Sequence, residues 1–566
     1  MKRCGVGALV LLAALPSFAA PAPQGVDGSF GEAIDVRVVN VEAVVTGRDG
    51  ERVQGLAAQD FRLLVDGREV SIEFFTEIVE GAVASPAAQA EGQVPAARQE
   101  AVGRSVLVFI DDSFSIAPQR NQVLQQVERS LSKLSPGDRV AVVAFDGRKV
   151  DLLSEWTGDS SRIAASLAGA RQRRAYGQRI RAYRKLLSLR LAEGSRVSGY
   201  TPQPVPTTMN DTVGGGDRWG GGPDVSFSMM DAGFEAPDIQ TPLARVVTAA
   251  AAAMRGLPAP RGRKVMLVLS GGWPLVERES FGALLTPVPA FLQDGLSESL
   301  YRPLVDTANL LGYTLYPVDV PGLDPSSTGA DAEAAELSNF NGLISSEWER
   351  STHYTLDLLA QETGGKAALN SARLEAMDRM VADTGTYYWL GFTPAWRADD
   401  RRHQIELRTR RPGLKVRSRS GFSDLSRQTE MAMSTEGLLL FGGSAGQAPE
   451  GQRIKVEMGR PRRTGPSMMS LPVVLHIPAE ALTAVPVGGK YVIEATLALG
   501  ALDRWGGRSD LPVVPLRLTT DRSPRPGDVV RYRTVLKMRH AQQRLVFTLR
   551  DSLSGEMLWA NLDYKP

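Results

Sequence analysis

The run SVLVFIDDSFS, residues 105–115, decides how the rest of the chain is read. Its first half, SVLVFI, is a continuous apolar stretch of the kind that forms a central parallel strand buried on both faces. The stretch ends on Asp111, and Asp111, Ser113 and Ser115 complete Asp-x-Ser-x-Ser ahead of a helix with Pro118 in its first turn. In open α/β sheets, ligands sit at the carboxyl ends of the strands. Residues two apart in an extended turn point the same way, so Asp111, Ser113 and Ser115 are expected to converge while Asp112 points elsewhere. One carboxylate and two hydroxyls suit a hard cation such as Mg²⁺, which keeps several waters and needs few protein groups. The same hydroxyls also suit capping of the helix that follows.

Outward from this run, residues 104 to about 320 alternate strand and helix. RVAVVAF (139–145), KVMLVLS (264–270) and YTLYPVDV (313–320) are further buried strands. Helices are expected after the first strand, around Ser161–Leu167, from Pro242 to Met254 and through Leu304–Leu311. The alternation predicts an α/β fold with a doubly wound, mostly parallel sheet and helices on both faces. An insertion at 171–240 interrupts it. Its first part, RQRRAYGQRIRAYRKLLSLRLA, carries eight Lys or Arg and no acid and reads as a basic helix; the remainder is Gly-rich loop. That helix has a solvated face as one reading and a surface for an acidic partner as the other.

Before the α/β region, residues 34–80 read as a small β module, Ig-like or an add-on to the next domain, with turns at Asp49-Gly50 and Asp66-Gly67. Leu56, Phe61, Leu63 and Val65 supply its apolar face. Residues 81–102 are a linker by composition. The α/β domain is placed at 103–422, ending in strands RHQIELRTR and LKVRSRS joined as a hairpin by the turn RPG. Residues 428–566 read as nearly all β, a sandwich built from LPVVLHI, KYVIEATLAL, PVVPLRLTT, VRYRTVLKM, RLVFTLRD and MLWANLDY.

The chain's 566 residues suffice for three or four domains, and 43% hydrophobic content is enough for real cores. A net charge of +2 argues against a dedicated nucleic-acid binder. Lys2 and Arg3, the apolar segment Val6–Leu15 and the small residues Ser17 and Ala19 read as a secretory signal, residues 1–19, cut after Ala19. The apolar segment is too short for a stable anchor across a core of ~30 Å. The one cysteine, Cys4, falls inside that signal, so the mature chain carries none and needs no disulfide. These features imply export to the periplasm or beyond, with no integral membrane segment after cleavage.

The strand-end Asp-x-Ser-x-Ser, LSPGDRVAVVAF and a later TPL before a helix resemble a von Willebrand factor type A (VWA) domain. VQGLAAQDFRLLVDG, ANLLGYTLYPVDVPGL, LAQETGGKAALN, YYWLGFTPAWR and RPGLKVRSRSGF extend the resemblance to a VWFA-related family of secreted bacterial proteins, over residues 34–425. The resemblance implies a metal-ion-dependent adhesion site with ligands Asp111, Ser113, Ser115 and Thr241, holding Mg²⁺ or Mn²⁺. It also implies a protein partner whose carboxylate completes the coordination. Thr241-Pro242 is also an ordinary helix-start pair. The chain departs from the pattern at Ser270-Gly271-Gly272, where Gly271 stands in place of an expected Asp, so the ion is expected to bind weakly. Asp319, at the end of the next strand, is a substitute carboxylate or a structural one.

The function expected is therefore protein–protein interaction or adhesion without catalysis, through a weakened metal site. The alternative is a metal-free interaction scaffold with a vestigial site. A hydrolase using Asp111 as nucleophile is the remaining reading. It lacks support, because the four histidines are scattered, no Gly-x-Ser-x-Gly elbow or phosphate-binding loop occurs, and Ser113 stands where a second acid is needed.

Overall fold

The computed structural model describes residues 38–84, 102–178, 240–260, 262–274, 298–321, 335–394, 397–441, 454–509 and 511–566. The signal segment 1–19, most of the linker and nearly all of the 171–240 insertion lie outside them. The fold is mixed α/β, and antiparallel pairing predominates in all but one of its sheets. No helix among the described residues is long and apolar enough to cross a membrane.

The exception holds the opening run. Arg104–Asp111 is buried at every position and pairs in parallel with Arg139–Phe145 on one side and Arg263–Ser270 on the other. Tyr313–Asp319 extends the sheet in parallel beyond Arg263–Ser270, and Val150–Thr157 closes the opposite edge antiparallel. Successive residues face opposite ways, as the pleat requires. Leu107 and Phe109 pack with helices Gln240–Gly256 and Arg302–Leu311. Val106, Val108 and Ile110 pack with Ala117–Arg129, Ser160–Gln172 and Ala376–Gly385. LSPGD has a mechanical role here: Asp138 accepts the Arg104 and Ser135 amides, each at 2.8 Å, and pairs with the Arg104 guanidinium at 2.5 Å.

The N-terminal β stretch does not stand alone, which corrects the boundary expected near residue 80. Val39–Thr46 pairs with Tyr387–Phe392 and Lys415–Arg417, and Phe61–Val65 pairs with Arg402–Thr409. The two resulting sheets share one core containing Val41, Leu63, Tyr388, Leu390 and Ile405. The expected hairpin across RPG is likewise replaced, because Arg402–Thr409 pairs with Phe61–Val65 and Gly421–Ser423 instead. Local turn chemistry sets a reversal. It does not choose between a neighbouring strand and one more than 300 residues away.

Asp383 fastens this β unit to the α/β core. Its carboxylate pairs with Arg52, with Arg417 at 2.6 Å and with Lys366 at 3.3 Å, and it accepts the Tyr316 hydroxyl at 2.7 Å. Burial pushes this carboxyl up, but Arg417, Tyr316, Lys366 and Arg52 outweigh it and hold it well below the usual carboxylate range.

The tail opens with a helix, Arg427–Phe441, where β structure was expected. Met431, Thr435 and Leu439 are buried at helical spacing. The helix crosses Gln240–Gly256 so closely that a Cβ on Gly437 would lie 2.6 Å from the Gly256 Cα. Arg255 and Arg508 both pair with the buried Glu436 beside this crossing. The six strand runs of the tail then form two sheets around one core, with Met469, Leu471, Val473 and Leu475 of Met468–Pro478 facing Ile493, Leu497 and Phe547. That is a β-sandwich.

Candidate functional site

The chain leaves the Asp111 strand toward Arg139–Phe145 and later returns on the other side as Arg263–Ser270. The crevice between the carboxyl ends of Arg104–Asp111 and Arg263–Ser270 is therefore where strand order reverses, the usual ligand position of an open α/β sheet. Asp111 and Gly271 meet there.

Asp111 is fully buried. Its Oδ1 accepts the Ser113 hydroxyl at 2.5 Å and the amides of Ser113 and Phe114 at 2.9 and 3.2 Å. Its Oδ2 accepts the Trp273 indole N–H at 2.8 Å and the Gly271 amide at 3.3 Å. Burial pushes the Asp111 carboxyl up, and these donors pull against it. Trp273 is itself buried and stacked on Tyr301, with ring centroids 6.4 Å apart. The Tyr301 hydroxyl in turn donates to the Pro274 carbonyl at 2.6 Å.

The other expected ligands divide. Ser113 joins Asp111. Ser115 is buried near it, with its Oγ shut from solvent and without a partner among the described residues. Neither serine caps the next helix, whose N-cap is Ile116 without a side-chain bond. Thr241 lies in the first turn of Gln240–Gly256, is exposed, and lines a cleft with Gly147, Ala244 and Arg245. That cleft runs close to the loop, since a Cβ on Gly147 would lie 3.3 Å from the Ser113 Cβ. Asp319 makes a structural pair with His353 at 3.2 Å, and its amide is held by the Ala368 carbonyl.

Gly271 is a steric requirement. A Cβ there would lie 2.2 Å from the Phe114 carbonyl carbon, 2.3 Å from the Ser115 nitrogen and 2.5 Å from the Phe114 Cβ. The loop that carries Ser113 and Ser115 has closed onto position 271, so the expected carboxylate has no room. From the other side Gly177 donates its amide to the Ser115 carbonyl at 2.9 Å, with no space for a Cβ either.

An ion-bearing site of the expected kind does not fit these residues. The orphaned Ser115 Oγ is the one feature in its favour. Against it, both Asp111 oxygens already accept, one of them from an indole N–H, and no second carboxylate can enter at 271. A cation would have to displace Trp273 or the loop amides.

Sequence reading missed Trp273 and the network beneath the loop. Asp112 points away from Asp111, as expected, and its carboxylate holds Arg120 at 2.5 Å, with both side chains fully buried. Arg173, from the start of the basic insertion, adds a bond at 2.7 Å and bridges to Asp151 at 2.9 Å. Arg120 also donates to the Arg171 and Arg173 carbonyls. The second acid of the Asp-Asp pair and the Gly-Gly-Trp after Ser270 were the available signals.

No family model and no curated protein matches this chain. Among solved structures, the TFIIH p34 N-terminal domain is similar at 12% identity over 50% of this chain and 97% of that one, with a TM-score of 0.20. The pilus adhesin SpaC from Lactobacillus rhamnosus GG is similar at 8% identity over 82% of this chain and 57% of that one, with a TM-score of 0.19. Similarity this low carries no argument about fold or function.

Proposed function

We propose that this chain is an exported, non-enzymatic binding protein with a VWA-type doubly wound sheet, whose metal position has become a fixed hydrogen-bonded plug. The observation that carries the reading is the Trp273 indole N–H donating to Asp111 Oδ2 at 2.8 Å. An indole can only donate, so its place on that oxygen excludes a cation from the same side. Support for the domain type comes from the strand order, the Asp-x-Ser-x-Ser at the reversal point and the sequence phrases around it. Catalysis by Asp111 is disfavoured by the same geometry, since a nucleophile needs an open approach and a free lone pair.

Partner binding then rests on side chains in place of an ion. The cleft lined by Thr241 has a volume of about 1170 Å³ and carries Arg148 and Arg245, with Arg544 farther along paired to Asp563 at 3.8 Å. Guanidinium groups bind carboxylates directly in forked geometry, so an acidic segment of a protein partner is the ligand this cleft suits.

Thermal melting with and without millimolar Mg²⁺ tests the plug. A ligand that binds only the folded state must raise the melting temperature. Superimposable curves are expected; an upward shift of several degrees that disappears in Ser113→Ala would refute the plug. An acidic peptide such as oligoglutamate tests the cleft by calorimetry: binding insensitive to Mg²⁺ and lost in Arg148→Glu/Arg245→Glu is expected. No binding to the wild type would refute it.

A further inference from the structure

Far from the Asp111 loop in sequence, the β unit gathers Asp399, His403 and Asp424. One donor atom of each lies within 4.8 Å of the other two. Asp424 is only 2% exposed. Its Oδ2 accepts the amides of Arg397 and Ala398, while its Oδ1 is shut from solvent and has no partner among the described residues. A buried carboxylate oxygen with nothing to accept from is a costly arrangement that a cation would relieve.

His403 is oriented for such a cation. Its Nδ1 lies 2.8 Å from Asp66 Oδ2. Asp66 is itself clamped, donating its amide to the Gln404 carbonyl at 3.0 Å and accepting the Gln404 amide on Oδ1 at 2.9 Å. An Nδ1–H donated to Asp66 leaves the Nε2 lone pair for a metal. Metal-binding histidines almost always donate the other ring N–H to a carboxylate, a backbone carbonyl or water, and Asp66 fills that place here. The ring plane is fixed by stacking on Phe422, with centroids 4.9 Å apart and 21° between planes. Asp399 is exposed, and its Oδ1 accepts the Arg401 amide at 3.1 Å.

We propose that His403 Nε2 and one oxygen each of Asp399 and Asp424 bind a divalent cation of the Zn²⁺ class. One imidazole with two carboxylates and no thiolate suits a borderline ion better than Mg²⁺ or Ca²⁺, which select all-oxygen shells. With metal–ligand bonds of about 2.0–2.2 Å, tetrahedral donors stand roughly 3.4 Å apart, so a spread of 4.8 Å must contract by about 1.4 Å. The exposed Asp399 side chain supplies that movement. The fourth position stays open to water or to an anionic group of a ligand. The site pins the 397–401 loop against the strand that carries His403 and the end of Gly421–Ser423, which Asp424 follows, and it is independent of the Asp111 crevice.

Calorimetry of the metal-stripped full chain with ZnCl₂ alone tests this. One equivalent is expected to bind and raise the melting temperature. Asp399→Asn and His403→Gln should each weaken binding at least tenfold while leaving the circular dichroism spectrum intact. His476→Gln, whose ring pairs with Glu457 elsewhere, should leave it unchanged. Absence of Zn²⁺ binding, or binding unaltered by both Asp399→Asn and His403→Gln, overturns the proposal. Mg²⁺ binding in preference to Zn²⁺ overturns the ion class.

Discussion

Replacing Gly271 by Asp would supply the acid that the sequence pattern expects there, and on charge alone it should build a metal site. The geometry reverses that expectation. The new Cβ would sit 2.2–2.5 Å from three atoms of Phe114 and Ser115, two of them backbone. Ordinary contact begins near 3.5 Å, so the loop must retreat by about an ångström. Retreat would stretch the Ser113 and Phe114 amide bonds to Asp111. Overpacking of this kind costs about 1–3 kcal/mol, so Gly271→Ala should lose roughly 2 kcal/mol. Gly271→Asp adds a second buried carboxyl beside a first, without a donor of its own, for roughly 2 kcal/mol more. At about 2–4 °C per kcal/mol for domains of some hundreds of residues, the melting temperature should fall by ~4–8 °C for Ala and ~8–16 °C for Asp. Differential scanning fluorimetry on both variants, with Mg²⁺ and with chelator, reads this directly. A Gly271→Asp protein that melts like wild type and gains a Mg²⁺-dependent upward shift would refute the reasoning.

Trp273→Phe keeps most of the ring volume but removes the donor to a buried carboxylate; urea melts should show a loss of about 1.5–3 kcal/mol from the hydrogen bond alone. Asp383→Asn should cost about 3–5 kcal/mol, since it removes the buried carboxylate that Arg52, Arg417 and Lys366 all pair with. The folded Asp383 carboxyl lies below its unfolded value of about 3.9, so its contribution is present above that pH and lost as pH falls further; the variant should show a flatter acid limb in melts from pH 5 downward. His353 runs the other way. Its hydrogen bond to Asp319, with Glu349 and Asp357 nearby, raises its pKa, so its contribution is full below about 6.5 and fades as pH rises through the folded value. His353→Gln should flatten the stability profile on that alkaline side. Gly437→Val should wedge apart the helix crossing at Gly256, and limited proteolysis should then release the sandwich domain sooner than from wild type.

The sequence alone determined the elements whose information is local. A continuous apolar run such as VLVFI is legible as a central strand because both its faces must be buried. The tail strands were legible because alternate residues such as Leu471, Val473 and Leu475 face one core. The helix Arg427–Phe441 carried a readable spacing too, at Met431, Thr435 and Leu439, but Gly437 and the β-rich surroundings masked it. Asp111 and Ser113 were readable as a pair because two residues of one extended turn share a direction.

Partner choice between distant segments was decided only in the tertiary structure. Nothing within residues 39–46 says that they pair with 387–392, because both are ordinary apolar-rich strands and the ladder bonds are the same for any partner. Asp399, His403 and Asp424 converge because Arg402–Thr409 pairs with Gly421–Ser423 and brings those strand ends together. The chemistry of Asp111 changed for the same reason. Its motif specifies which atoms are available at the strand end, but hydrogen-bond saturation depends on what arrives from elsewhere. Trp273 arrives 162 positions later in sequence and donates to it, and the Phe114–Ser115 backbone packs where a carboxylate at 271 would have to stand.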